Sequence, residues 1–199
     1  MILQTIQSEK AFRTLNREGI LCTDQTYVEM MEYPAVRTAY LWISDQMKKK
    51  IGEHPKGVEL PLWAWHTCSK NRLRESKSNN AVFLEIEIQD DQVLLTDYDL
   101  WCAVLMNCDL TITSEAEDEA LSKRLKHLGF SSFQELVSLA DRSSLSAEAY
   151  ALREKIIKSW DECLSINKPV NLWYGSRKRS IQATFWSLKR EQVKNWHLL

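Results

Sequence analysis

At 199 residues, with 44% hydrophobic and 27% charged side chains and a formal net charge of −1, the chain has the make-up of an ordinary globular protein. That balance excludes a global attraction to nucleic acid or to an anionic membrane, so charge-based recognition has to be local. Its five cysteines, Cys22, Cys68, Cys102, Cys108 and Cys163, form no CxxC pair, which argues against both a disulfide framework and a zinc site.

The length suffices to bury about 70% of the unfolded surface. One domain over residues 1–199 is expected, with a helical insertion over 111–165. Met1 runs directly into ILQTIQ and a charged helix without a long apolar run, so a cytoplasmic protein with reduced thiols, no bound metal and no membrane span is expected. Eight tryptophans stand beside only five glycines. Aromatic rings bury roughly 150–250 Å² each, more than one small core uses in that number, so some are expected to line a groove.

Ile2, Gln4 and Ile6 alternate with Leu3, Thr5 and Gln7, the pattern of a strand that shows polar side chains to a cleft or to solvent. Ser8 is placed to cap a short helix bearing Phe12 and Leu15, and Gly19 to end it. Pro34 opens a long helix whose apolar stripe runs Val36, Tyr40, Ile43, Met47, Ile51, with Lys48, Lys49 and Lys50 at the end the helix dipole favours. In LPLWAWH, Leu62, Ala64 and His66 alternate with Trp63 and Trp65; both faces are apolar and an interior strand is expected. Residues 69–80 read as a polar loop. Val82, Leu84, Ile86 and Ile88 then alternate against Phe83, Glu85 and Glu87, Asp90-Asp91 turns the chain into VLL, and Asp97 caps a helix carrying Leu100, Trp101, Val104 and Leu105.

From residue 111 the texture is helical. Ser114-x-x-Glu117 and Ser132-x-x-Glu135 are capping boxes with Gly129 between them, and Ala149, Leu152, Ile156, Trp160 and Leu164 mark a third helix over 146–165. VNLWYG (170–175) and SIQATFWSL (180–188) return to strand texture, and a short amphipathic helix from Lys189 closes the chain. Strands 2–7, 61–66, 82–88 and 180–187 are each too short to stand alone and are expected to share one sheet. The fold class is therefore α+β, with one central mixed or antiparallel sheet and flanking helices.

No GxGxxG, phosphate-loop lysine, HExxH or GxSxG motif is present, and His54, His66, His127 and His197 have no common ligand spacing. His66, beside two tryptophans, reads as a satisfied core or rim residue, with hydrogen bonding at a cleft edge as the alternative. Glu85 and Glu87 share one strand face, toward water or a basic partner. The basic segments Arg72/Arg74 and Arg177-Lys178-Arg179 adjoin Trp- and Tyr-bearing stretches, the composition of phosphate-plus-base recognition, with a plain solvated loop as the alternative. Gln182 and Thr184 share a face, roughly 6–7 Å apart by strand rise, a span that fits contacts to ribose or amide groups of one ligand. Neither side chain is a base near neutral pH, so transfer chemistry needs a carboxylate from elsewhere, with Asp97, Asp99 and Glu191 as candidates.

PLWAWH, TDYDLW and IQATFW, with TIQSEKAFRTLNREGIL at the start and the AYLWISDQMKKKI helix between, resemble a bacterial and phage family, the domain of unknown function numbered 3841, over nearly the whole chain. That resemblance carries over no catalytic residue. In layout the chain is also similar to the NAD-dependent ADP-ribosyltransferase superfamily, particularly its nucleic-acid-modifying toxin branch. The likeness implies that the first strand, with Thr5 and Gln7 where a His or Arg is usual, and the aromatic strand, with Trp63, Trp65 and His66, hold a nicotinamide cleft. It further implies a late strand opening with Gln182, in which Thr184 stands at the position of a ribose-orienting glutamate, with Arg177 and Arg179 nearby for phosphate. The expectation is an ADP-ribosyltransferase-like protein that binds a nucleotide or nucleic acid, NAD being the implied cofactor. The competing reading is a non-enzymatic phage or host-defence accessory factor that binds a protein partner through residues 111–165.

Overall fold

The computed structural model describes residues 1–23, 31–69, 80–139 and 142–199. The chain divides into two compact units, one formed by Met1–Gln25, Ile43–Thr96 and Ser180–Leu199, the other by Thr26–Trp42 and Asp97–Arg179.

The first unit is built on a six-stranded antiparallel sheet. Its strands are β1 (Ile2–Ser8), β3 (Leu62–Thr67), β4 (Ala81–Glu87), β5 (Leu94–Asp97), β6 (Ile181–Phe185) and β8 (Val193–Leu198), in the order β5-β6-β3-β1-β4-β8. The four strands expected to share a sheet do so, and β3 is interior. Register follows the hydrophobic pattern: Leu3 lies opposite Ile86, Thr5 opposite Leu84 and Gln7 opposite Val82, so the odd residues of β1 share the core face. Helix α1 (Glu9–Glu18) covers that face with Phe12 and Leu15. Ser8 Oγ accepts from the Ala11 N–H at its start, and Gly19, at φ 75°, supplies the left-handed residue at its end. Leu3, Leu15, Val82, Leu84 and Ile86 have no exposed surface. Burial of each such side chain contributes about 1.5–3 kcal/mol of transfer free energy, the main term holding this unit together.

A second, two-stranded sheet pairs β2 (Ile20–Cys22) with β7 (Ser187–Lys189). The single long strand expected over 180–188 is therefore two strands in two sheets. The break falls at Trp186, whose indole N–H turns away to donate to the Gly52 carbonyl (3.0 Å). The expected closing helix is also corrected. Lys189 N–H donates to Gln192 Oε1 (2.7 Å), closing one tight turn over 190–192, and the chain then runs on as edge strand β8 against β4. Backbone pairing along six residues outweighs the weak helical pattern of the tail.

Helix α2 (Pro34–Ile51) contributes its residues through Trp42 to the second unit and the remainder to the first. Within the second unit, Asp97 caps α3 (Tyr98–Leu105), accepting from the N–H groups of Asp99 (3.0 Å) and Leu100 (3.3 Å). Residues 111–165 carry α4 (Glu115–His127), α5 (Phe133–Val137) and α6 (Ala147–Ser159), as the fold class anticipated. Both capping boxes form with a shift of one residue: Glu117 reaches back to the Thr113 N–H and Glu135 to the Ser131 N–H, each 2.7 Å, rather than to the capping serine's own amide. Trp160 is wholly buried, donates from its indole to the Cys108 carbonyl (2.9 Å), and meets Trp42 edge to face at 5.6 Å.

Residues 170–175 are not the expected strand. The Asn171 amide donates to the carbonyls of Leu110 (2.8 Å) and Ile112 (2.6 Å), and its Oδ1 accepts from the Trp173 N–H (3.0 Å), which closes a turn. An Asn side chain competing for the backbone in this way outbids the β-propensity of Leu-Trp-Tyr.

Candidate functional site

Strands β6, β3 and β1, the three that carry Gln182, the tryptophans and the first-strand polar residues, are consecutive in the sheet. Register sets which side chains meet. Trp65 lies opposite Gln4 on one side and Gln182 on the other, and Trp63 lies opposite Thr184. Directly opposed residues share a face with Cβ atoms about 4.5–5.5 Å apart. Gln4, Trp63, Trp65, Gln182 and Thr184 therefore form one patch on the sheet face opposite the α1 core.

The members of that patch differ in what they have left to offer. Trp65 is only 9% exposed and Thr184 not at all, and the Thr184 hydroxyl donates to the Leu94 carbonyl (3.2 Å). Those two hold the sheet. Trp63, Gln182 and Gln4 are half-buried. Gln182 Oε1 is buried and has no hydrogen-bond partner among the described residues. Leaving such an acceptor unmet costs about 1–3 kcal/mol, so a donor supplied to it is stabilising.

The remaining residues named from the sequence fall elsewhere. Thr5 and Gln7 face the core side: Thr5 Oγ1 donates to the Trp63 carbonyl (2.9 Å) and Gln7 Nε2 donates to Thr5 Oγ1 (2.9 Å). They brace the Trp63 backbone from behind. His66 is exposed at a register shift between Trp65 and Thr67, its Nδ1 3.0 Å from Thr67 Oγ1. Arg177 and Arg179 belong to the second unit. Arg177 is exposed, whereas Arg179 pairs through Nε with Asp97 Oδ2 (3.0 Å) and donates to the Ile166 carbonyl. Asp97 is itself buried; burial raises its carboxyl above the ordinary range, with the Leu100 N–H and the Arg179 guanidinium pulling the other way. Both groups are thus committed to structure. Asp99 stands in the first turn of α3, and Arg72 and Arg74 lie outside the described residues.

Sequence reasoning passed over two features. Gln4 reaches the patch where Thr5 was expected, because the face shown by β1 is set by its register with β3, which alternation alone does not display. The other is a cavity of about 650 Å³ at the end of the sheet in the first unit, lined among others by Glu87, Gln89, Gln92, Lys189, Glu191 and Lys194. A separate, smaller pocket of about 190 Å³, which shares Gln92 and Lys189 with it, is lined by Pro55 and Trp186. Of the larger cavity's lining, Glu191 was named from the sequence as a candidate carboxylate and Glu87 as one of a strand-face pair. Lys194 Nζ bonds Glu87 Oε2 (2.6 Å) and, by that bond first, holds the Glu87 carboxyl below its usual range. The lining mixes both charges without an aromatic face in the larger part, which suits solvent better than a nucleotide.

Among the described residues no group of His, Cys, Asp and Glu side chains is arranged to hold a metal ion, and no helix is long and apolar enough to cross a membrane. The tryptophan motifs that position this patch lie within a stretch matched by a family model. The chain belongs to the family described as Domain of unknown function (DUF3841). The match runs over residues 2–194, so it takes in all of the second unit of this DUF3841 member and all of the first but Met1 and residues 195–199. No curated protein and no solved structure matches the chain.

Proposed function

We propose that this protein is ADP-ribosyltransferase-like and binds a nucleotide, either NAD, ADP-ribose or the end of a nucleic acid, against Gln182, Trp63 and Gln4. The observation that carries the reading is the buried Gln182 Oε1, which has no hydrogen-bond partner beside a half-buried indole. A carboxamide N–H or a ribose hydroxyl of the ligand would donate to that oxygen while the indole gives a flat apolar wall. The adjacency of β6, β3 and β1 supports the reading as well, since these are the strands that such a cleft requires side by side. The role is binding in the first place. Thr184, at the position where the layout puts a glutamate, is buried with its hydroxyl committed to Leu94, so this strand offers no base.

Calorimetric titration with NAD and ADP-ribose tests the reading. Wild type is expected to bind, and Gln182→Ala to bind about tenfold more weakly, the effect of one lost hydrogen bond of roughly 1–1.5 kcal/mol. Unchanged affinity in Gln182→Ala would remove the assignment. An absence of heat with every nucleotide would favour the protein-partner role for residues 111–165, where Tyr150 on α6 is 44% exposed.

A further inference from the structure

The segment from Asn171 to Arg179, in the second unit, is held at both ends and shows its apolar residues to solvent. Asn171 is fixed by its amide bonds to Leu110 and Ile112 and by the Gly175 N–H, which donates to its carbonyl (2.8 Å). The Trp173 N–H donates to Asn171 Oδ1 (3.0 Å), which fixes the backbone that carries the ring. A Cβ at Gly175 would run into the Val170 side chain, so the return of the chain here requires glycine. Ser176 Oγ donates to the Lys178 carbonyl (2.8 Å), and Arg179 is tied to Asp97 (3.0 Å). Between these anchors Leu172 is 55% and Trp173 41% exposed, and Arg177 and Lys178 are exposed with no ion pair among the described residues. Exposed tryptophan is usually explained by a floppy tail or a chance surface position. Here the bonds of Asn171 and Gly175 at one end and of Ser176 and Arg179 at the other hold the segment while the ring is kept outside.

We propose that this anchored loop binds single-stranded nucleic acid, Trp173 stacking on an unpaired base and Arg177 and Lys178 contacting the flanking phosphates. Stacking needs a flat ring on a backbone that stays in place, which the Trp173 and Gly175 N–H bonds to Asn171 provide, and the two cations lie four and five residues further along the chain. The chain as a whole carries a charge of −1 and so lends no long-range attraction; the contact is local and strand-selective. A single-stranded ligand is favoured over a duplex because paired bases keep their faces stacked on one another, out of reach of the indole. A lipid surface is disfavoured because only two apolar side chains are available to insert, too little for stable anchoring. The inference goes beyond nucleotide binding at Gln182 and does not rest on it.

Fluorescence anisotropy with labelled single-stranded oligothymidine, the corresponding duplex and vesicles of anionic phospholipid tests it on the full chain. Wild type is expected to bind the single strand in preference to the duplex, and Trp173→Ala to weaken that binding about tenfold while Trp173→Phe retains most of it. The Arg177→Ala/Lys178→Ala variant is expected to lower the slope of log affinity against log salt by about 1.4, two phosphate contacts at roughly 0.7 each. Thermal melts check that the variants fold. Trp173→Ala should leave ADP-ribose binding intact, so loss of oligonucleotide binding in that variant is separable from the Gln182 assignment. Equal binding by Trp173→Ala and wild type, no binding of the single strand, or binding of the vesicles in place of it would overturn the proposal.

Discussion

Replacing Arg179 by alanine is expected to destabilise the protein by about 3–5 kcal/mol at neutral pH, because it leaves a carboxylate buried without its counter-charge. Asp97 has 1% of its side chain exposed and Arg179 16%, so solvent screens neither. The pair also joins the start of α3 to the chain's exit toward β6, and the guanidinium bonds the carbonyls of Ser165 and Ile166 in addition. The pH dependence has a definite sign. Burial raises the Asp97 carboxyl in the folded protein above its unfolded value, so its contribution to stability is full at acid pH and is lost as pH rises through the folded value. Removing Arg179 takes away one of the influences that hold that value down. The deficit of Arg179→Ala relative to wild type should therefore be smaller at about pH 5 than at about pH 7.5, as read from urea midpoints. Removing both charges in Asp97→Asn/Arg179→Met is expected to cost less than Arg179→Ala alone. A single variant that melts with wild type at both pH values would show the pair to be dispensable.

Trp160→Ala is expected to cost about 3–5 kcal/mol as well, through a cavity rather than a charge. No part of Trp160 reaches solvent, its ring meets Trp42 edge to face at 5.6 Å, and its indole N–H satisfies the Cys108 carbonyl. Trp160→Phe keeps most of the packing and orphans that carbonyl, for a loss of about 1–3 kcal/mol. Ranked urea midpoints in the order wild type, Phe, Ala are the expected result; an alanine variant within about 1 kcal/mol of wild type would mean that the helical unit closes around the gap.

The regular elements were legible in the sequence wherever one local rule decides them. Ser8, Gly19, Asp97, Ser114 and Ser132 each mark a helix end where the structure places one, and alternation in β1, β3 and β4 gives the sheet and its core. Legibility ended where a distant partner decides. The bend at Trp186 depends on the Gly52 carbonyl, the turn at Asn171 on the carbonyls of Leu110 and Ile112, and the closing strand on the free edge of β4. None of these partners is visible from the residues they act on. The same limit governs the site. That Gln182 shares a face with Thr184, and Trp63 with Trp65, was legible because alternate positions on a strand point the same way, whereas the placing of Gln4 and not Thr5 or Gln7 beside them is made by inter-strand register. Arg179 could be read as a phosphate contact from its composition, yet its partner is Asp97, 82 positions away by the numbering of the pair.

The most direct test of the account is a crystal of the protein soaked with ADP-ribose and solved against an unsoaked crystal. Difference density is predicted on the sheet face beside Gln182, with a ligand donor within hydrogen-bond distance of Gln182 Oε1 and a ring or ribose against Trp63. Density in the cavity lined by Glu87, Lys189 and Glu191 instead, or an unchanged Gln182 face at saturating ligand, would contradict it.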